Sequence, residues 1–244
     1  MKVTYIHHSS FLAELENSYL LFDYYQGTIP KLDPRKHLYV FASHAHGDHF
    51  APVIFDLEKE ALRETFFRTE SGENPRITYI LSRDIGPRRV PADVTGPVIF
   101  LKSRETWQEN DIRVETFRST DAGVAWWIRC EGKEIYHAGD LNNWWWEGED
   151  KAWNHNMAAN YHREIEKMHG RHADAAFVPL DPRQEKQYSL GMDELMAQIT
   201  ADAIFPMHFW GNYDIIRKMK QDPVSAPYRD RIVEIHREGE EFEL

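Results

Sequence analysis

The sequence is nearly devoid of cysteine. Cys130 stands alone among 244 residues, so no disulfide can form within the chain, and a cytoplasmic setting is expected. No apolar run is long enough to span a bilayer. The amino terminus, Met1-Lys2-Val3-Thr4-Tyr5, passes directly into a strand-like alternation with no signal-peptide pattern, so no membrane association is expected. Positive charge is also scarce, with 29 Lys and Arg against 40 Asp and Glu, a net charge of −11. Sequence-independent nucleic-acid binding needs a basic track along the phosphates, and its absence argues against that class. A small anionic substrate stays open, because a metal and a few local cations decide the field in a pocket. One further scarcity is local: the chain has 13 histidines, yet none lies between His49 and His137.

What is present is concentrated in Ser43-His44-Ala45-His46-Gly47-Asp48-His49, which follows the apolar run Leu38-Tyr39-Val40-Phe41-Ala42. The run reads as a buried strand. In extended backbone, positions two apart point the same way, so His44, His46 and Asp48 can face one side. Gly47 is expected to let the chain turn sharply and bring His49 back to the same place. Imidazole nitrogens and a carboxylate oxygen suit zinc, iron or manganese better than calcium.

The rest of the chain is expected to form one domain, 1–244, with an aromatic and helical insertion around 142–172. Strands are expected at Lys2–His7, in a hairpin of Phe11–Glu16 and Tyr19–Tyr24, and at Arg76–Leu81. Further strands are expected at Val98–Leu101, Ile112–Phe117, Gly123–Cys130, Glu134–His137, Ala173–Leu180 and Ala203–His208, with strand-like runs near Ile232–Ile235. Helices are expected over 52–68, begun by Pro52, and over 149–169, Gly191–Thr200 and Asp214–Lys220. His8 lies between the first two strands, where it can stand behind a metal, line a substrate wall or, equally, be a plain buried or capping histidine. His155, His162 and His169 recur every seven residues and read as a solvated or interfacial face. Trp144, Trp145 and Trp146 cannot all be buried on one face; they are expected either to line a cleft or lid in part or, equally, to pack a long insertion onto the core.

Three strand ends thus carry ligand-type residues: His44 to His49, Asp140 and His208. The motif His44-Ala45-His46-Gly47-Asp48-His49, the later Tyr136-His137-Ala138-Gly139-Asp140 and the late Pro206-Met207-His208 together resemble the metallo-beta-lactamase superfamily. The resemblance covers about residues 3 to 210 in the right order, and is nearest to the ascorbate-phosphate lactonase-like branch of metal-dependent hydrolases. It implies an α/β fold, a four-layer αββα sandwich of two mixed sheets with helices outside. It implies two divalent metal ions, zinc in the first instance, with manganese or iron as alternatives. His44 and His46 would hold the first, Asp48, His49 and His208 the second, and Asp140 would bridge them. The implied chemistry is attack by a metal-bound hydroxide on a carbonyl or phosphoryl centre, with Asp48 as a catalytic group that orients the water or shuttles its proton.

The family usually gives the first metal a third histidine, and the gap between His49 and His137 removes it. Asp121, in Ser119-Thr120-Asp121-Ala122-Gly123, is the best substitute, with Thr120 and Ser119 poorer; His7 or His8 can also fill the place, and Asp121 can equally be a turn cap. Arg183, beside Asp181-Pro182, Arg83 and Tyr188 are candidate substrate-binding residues for an anionic group, although arginines at loop ends more often serve surface solvation. The expected function is metal-dependent hydrolysis of a small metabolite, of the lactone or phosphate ester class. The alternatives are a degenerate metal- or ligand-binding module of the same fold and a phosphodiesterase or nuclease. The expected partner is a small-molecule substrate, not nucleic acid or membrane, and tryptophan-rich surface leaves room for a homo-oligomer.

Overall fold

In the computed structural model, which describes residues 1–62 and 76–244, the alternating amino-terminal stretch forms β1 (Lys2–His7), followed by β2 (Ser10–Glu14) and β3 (Ser18–Phe22). These three pair antiparallel in chain order. The β2–β3 turn is closed by the Leu15 N–H donating to the Ser18 carbonyl at 2.8 Å. The continuous apolar run becomes β4 (His37–Ala42), whose residues from Leu38 to Ala42 are all buried. It lies parallel to β3 on one side and to β5 (Ile77–Ser82) on the other. Burial on both faces is what a central parallel strand requires, and it explains why the run does not alternate. β6 (Val98–Leu101) extends the parallel half.

Pro52 opens a 3-10 turn, Pro52–Phe55, that leads into α1 (Asp56–Leu62). Ile54, Phe55 and Leu57 pack with Leu12, Leu21, Val40 and Tyr79 in one apolar cluster. The expected helix over 52–68 is therefore present up to Leu62, and its remainder lies outside the described residues.

A second run of strands forms β7 (Thr106–Glu109), β8 (Ile112–Arg118), β9 (Val124–Cys130) and β10 (Lys133–His137), an antiparallel meander. A crossover through α2 (Lys151–Ile165) leads to β11 (His172–Pro179), parallel to β10. Another through α3 (Leu190–Met196) leads to β12 (Thr200–Met207), parallel to β11. α4 (Asp214–Gln221) follows, and β13 (Glu241–Glu243) returns to pair antiparallel with β1.

Among the described residues there are thus two mixed sheets, ordered β13-β1-β2-β3-β4-β5-β6 and β12-β11-β10-β9-β8-β7. Each belongs to its own unit, the first to Met1–Lys102 with Arg237–Leu244 and the second to Ser103–His236. The expected α/β class and the pair of mixed sheets are observed. None of the described helices is long and apolar enough to cross a membrane.

Several boundaries differ from expectation for local reasons. α2 starts at Lys151 because Asp150 caps it, accepting the Trp153 N–H at 2.7 Å. It ends at Ile165 in a 3-10 turn, so His169 lies off the helix that carries His155 and His162. α3 stops at Met196, not Thr200, since Thr200 is already paired with His172 in the sheet. The run Ile232–Ile235 supplies one isolated bridge, Ile204 to Ile232, instead of a strand.

Candidate metal centre

β4 ends at Ala42, and the histidine motif turns away from the sheet at once. The His49 and Phe50 N–H groups both donate to the His46 carbonyl, at 3.1 and 2.9 Å. Gly47 plays no conformational part in this turn: its φ is outside the left-handed region and a Cβ there would meet nothing within 4 Å. The turn is instead held through Ala45, whose N–H donates to Asp84 Oδ2 at 2.9 Å and whose carbonyl accepts from Arg89 Nη1 at 3.0 Å.

Behind the motif lies Asp23, fully buried just past the end of β3. It accepts the Ser43 N–H and the Ser43 hydroxyl, each at 2.7 Å, and His49 Nδ1–H at 2.7 Å. Ser43 Oγ is in turn 3.0 Å from His44 Nδ1. One carboxylate therefore sets the rotation of His49 directly and of His44 through the serine. Both rings have their Nδ1 side engaged from behind, which directs Nε2 forward, the arrangement by which metal-binding imidazoles are oriented.

The forward atoms converge. His44 Nε2 and His46 Nδ1 are 3.0 Å apart. His8 Nε2 and His49 Nε2 approach Asp48 Oδ2 at 3.5 and 3.9 Å, too far for hydrogen bonds. Donors bound to one cation at about 2.0–2.1 Å sit about 3.3 Å from each other in tetrahedral geometry, so these separations suit ligands gathered for an ion. The ligand-type atoms of His8, Asp48 and His49 lie within 4.8 Å of one another, as do those of His44 and His46. The first unit thus carries a His/Asp cluster whose donor types and spacing fit a divalent metal. Tyr25, edge-on to His7 and His8, is pushed up to about 12 by burial and by the charges of Asp48 and Glu238, so it is a hydroxyl donor at neutral pH.

The second unit carries Asp140 and His208, with His208 Nε2 3.5 Å from Asp140 Oδ1. Asp140 follows β10 through Gly139, at φ 50, a conformation glycine adopts without penalty. The loop after it is anchored on three sides. Thr120 Oγ1 donates to the Asn142 carbonyl at 2.6 Å and accepts the Asn142 N–H at 3.1 Å. The Asn142 amide donates to Gln184 Oε1, and Gln184 Nε2 donates to the Asn143 carbonyl. Gly191, in the first turn of α3, lies so close that a Cβ would fall 1.7 Å from Asn142 Oδ1. Trp144 Nε1 donates to the Asp140 carbonyl at 2.9 Å, its ring is stacked on Trp146 with centroids 5.8 Å apart, and it contacts His208 at 5.3 Å.

His208 has its own rear carboxylate. Its Nδ1–H donates to the buried Asp181 Oδ2 at 2.9 Å. Burial alone would push the Asp181 carboxyl up, but hydrogen bonds from His208 and Arg183 hold it down at about 2. The backbone is strained at several of these places. His8, Asp23, His208 and Trp210 all have positive φ, between 43 and 62, a conformation that costs a non-glycine residue about 1–3 kcal/mol and is retained where surrounding contacts fix it.

The other sequence-derived candidates fall as follows. The Asp121 side chain is exposed on a turn whose N–H donates to Ser119 Oγ at 3.1 Å. Among the described residues it belongs to no group of three or more ligand-type side chains; its neighbour Thr120 is the residue that holds the Asp140 loop. Arg183 makes a bidentate pair with Asp181, Nε donating to Oδ1 and Nη2 to Oδ2. The Tyr188 hydroxyl donates to Asp222 Oδ2 at 2.7 Å, and its ring lies under Lys218. Arg83 is exposed beside Asp84. His155 stands edge-on to Trp145, His162 pairs with Glu194, and His169 faces Gln198, so that repeat serves packing and surface contacts. Sequence reasoning missed the parts played by Asp23, Asp181 and Gln184, and weighed Thr120 only as a poorer metal ligand, not as the residue that holds the Asn142 backbone. The one signal for the first two was position: each is an acidic residue at the carboxyl end of a buried strand.

Two mixed sheets with helices, ending in a His/Asp cluster at the tip of a parallel strand, define a metal-binding α/β protein of the metallo-beta-lactamase fold. Residues 2–155 match the family described as Beta-lactamase superfamily domain, and the chain belongs to that family. Among curated proteins, a UPF0173 metal-dependent hydrolase of Nanoarchaeum equitans is 44% identical over 54 residues, 22% of this chain and 22% of that one. The chain therefore matches about a fifth of that relative's length. Among solved structures, YhfI of Bacillus subtilis, a metallo-beta-lactamase fold protein, aligns with a TM-score of 0.63 at 14% identity, covering 99% of this chain and 98% of its own. Igni18 of Ignicoccus hospitalis, a novel metallo hydrolase, aligns with a TM-score of 0.59 at 17% identity, covering 100% and 98%. At such identities the likeness is one of fold.

Proposed function

We propose that the protein is a metal-dependent hydrolase acting on a small metabolite, of the lactone or phosphate ester class. The observation that carries this reading is the forward convergence of His44, His46, Asp48 and His49 while the Nδ1 atoms of His44 and His49 are engaged by Ser43 and Asp23. A surface histidine turn has no need of a buried carboxylate behind it. Support comes from the names of the relatives in Nanoarchaeum equitans and Ignicoccus hospitalis, and from the order of the motifs. In this reading His44 and His46 hold a first divalent ion, Asp48, His49 and His208 a second, and Asp140 serves both, with zinc as the first choice and manganese or iron as alternatives. When bound, such ions polarise a carbonyl or phosphoryl oxygen and acidify water.

The chain's own residues supply the rest. Asp48, partly exposed and flanked by His8 and His49, orients the attacking water and takes up its proton. Tyr25, protonated at neutral pH, donates a hydrogen bond to a substrate oxygen. Trp144 and Trp146 present a stacked aromatic surface beside His208 that keeps water from the apolar part of a substrate. The lactone and phosphate ester classes are read from the His44–His49, Asp140 and His208 motifs and their resemblance to the ascorbate-phosphate lactonase-like branch, and a net charge of −11 favours a small molecule over nucleic acid. Cys130 is buried and is the one cysteine of the chain, which supports a cytoplasmic setting.

The test is hydrolysis of an ester, lactone and phosphodiester panel by metal-loaded protein, wild type and Asp48→Ala. Turnover on one class, lost in the variant while its fold is kept, is the expected result. No turnover on any class would favour a ligand-binding module instead.

A further inference from the structure

Behind His208 stand Asp181, Arg183 and Trp210, side chains to which the proposed chemistry gives no part. Asp181 lies two residues past the end of β11 and caps the turn Pro182–Gln187, and its carboxylate has no solvent exposure. Oδ1 accepts the Arg183 backbone N–H at 2.8 Å and Arg183 Nε at 3.0 Å. Oδ2 accepts Arg183 Nε at 3.0 Å, Arg183 Nη2 at 2.6 Å, Trp210 Nε1 at 3.2 Å and His208 Nδ1 at 2.9 Å. The guanidinium of Arg183 lies over two indole rings, 4.5 Å from the centroid of Trp210 and 5.8 Å from that of Trp146. The ring of His208 stands edge-on to Trp210 at 5.5 Å.

The hydrogen bonds fix more than position. A carboxylate gathering donors from an arginine and an indole acts as an acceptor only. The His208 nitrogen facing it must therefore carry a hydrogen, and in a neutral imidazole the lone pair then sits on Nε2. Nε2 is the atom 3.5 Å from Asp140 Oδ1, so the rear contact selects the tautomer able to bind a cation in front. Arg183 in turn needs its planar fork to span both oxygens of Asp181, and the two indoles hold that fork in plane.

Resting on the reading of His208 as a metal ligand, we propose that Asp181 is its positioning residue and that Arg183, in contact with Trp146 and Trp210, acts as the buttress of Asp181 and not as a substrate contact. The pair forms part of the metal site without touching the metal.

The test uses the full-length protein with Asp181→Asn, Arg183→Lys and His208→Ala. Asparagine preserves the cap on the turn Pro182–Gln187 but offers an amide in place of a pure acceptor. Zn(II) affinity is measured by competition with a chromophoric chelator, and the His208 tautomer by ring-nitrogen NMR of the metal-free protein. The expected wild-type state is the Nδ1–H tautomer. Asp181→Asn should shift it towards Nε2–H and raise the dissociation constant of one Zn(II) by about 10–100-fold, with the thermal midpoint nearly kept. Arg183→Lys should fall between the two. An Nε2–H tautomer in the wild type, or unchanged affinity in Asp181→Asn while His208→Ala loses a Zn(II), would overturn the proposal. Zn(II) binding unaffected by His208→Ala would remove the ligand reading itself and the positioning role with it. The wild-type spectrum decides the matter even if a variant fails to fold.

Discussion

Asp23 and His49 are joined by a 2.7 Å hydrogen bond between side chains that are both fully buried. The pair links the end of β3 to the turn after β4, and Ser43 extends it to His44. Replacing Asp23 by Asn leaves the carbonyl oxygen for the Ser43 N–H and puts an amide donor against Ser43 Oγ and His49 Nδ1. We expect Asp23→Asn to weaken metal binding by about 10–100-fold and to destabilise the fold by about 1–3 kcal/mol through the unmatched buried donors. Chelator competition and urea unfolding measure the two effects. Wild-type metal affinity in the variant would mean that the rear carboxylate is not what orients His49.

The loop after Asp140 depends on a glycine elsewhere in the sequence. In Gly191→Ala the new methyl collides with the Asn142 side chain and comes within 3.1 Å of the Asn143 nitrogen, so that both must shift. Overpacking of this kind costs about 1–3 kcal/mol. The thermal midpoint should fall, and metal bound through Asp140 should be held less tightly. A variant as stable as the wild type would show that Asn142 can leave its bond with Gln184 at little cost.

Acid should weaken the first unit through His37. Its ring is stacked on Tyr39 at 4.1 Å, and its Nε2 lies 2.9 Å from Thr78 Oγ1. Burial, and then the charge of Arg76, lower it from 6.5 to about 4. Between those values the unfolded chain binds more protons than the folded one, so stability rises with pH there. The contribution of neutral His37 is complete above pH 6.5 and is lost as pH falls towards 4. Urea unfolding at pH 7 and pH 4.5 should show a smaller acid loss in His37→Gln than in the wild type. Equal losses would assign the acid sensitivity to other groups.

The parts legible in the sequence were those written locally. The run Leu38 to Ala42 announced a buried strand, and His44 to His49 announced the cluster, because ligand type and spacing sit within one short stretch. Asp23 and Asp181 were not legible as partners, because each lies 26 or 27 residues from its histidine and only the folded sheet brings them together. β7 and β13 were missed for want of apolar residues: Thr106–Glu109 is mostly exposed at a sheet edge, and Glu241–Glu243 is a three-residue strand with two glutamates. Gly47 shows the opposite error. It suggested a forced turn, whereas hydrogen bonds to the His46 carbonyl make the turn without it.

Metal removal should be felt as stability as well as activity. Ions that bind the folded chain alone stabilise it by about 2.7 kcal/mol at a hundredfold excess over the dissociation constant. Thermal midpoints should therefore fall on chelation and return with zinc or manganese in wild type. The return should be smaller in Asp48→Ala. A midpoint indifferent to chelator would argue that no ion is held by the folded chain.

The most direct test is metal content per chain by elemental analysis, after purification without chelator or an affinity tag, in wild type, Asp121→Ala and Asp140→Ala. The account predicts two ions per wild-type chain, no change in Asp121→Ala, whose carboxylate is exposed on its turn, and a clear loss in Asp140→Ala. Less than one ion per wild-type chain, or full content in Asp140→Ala, would contradict it.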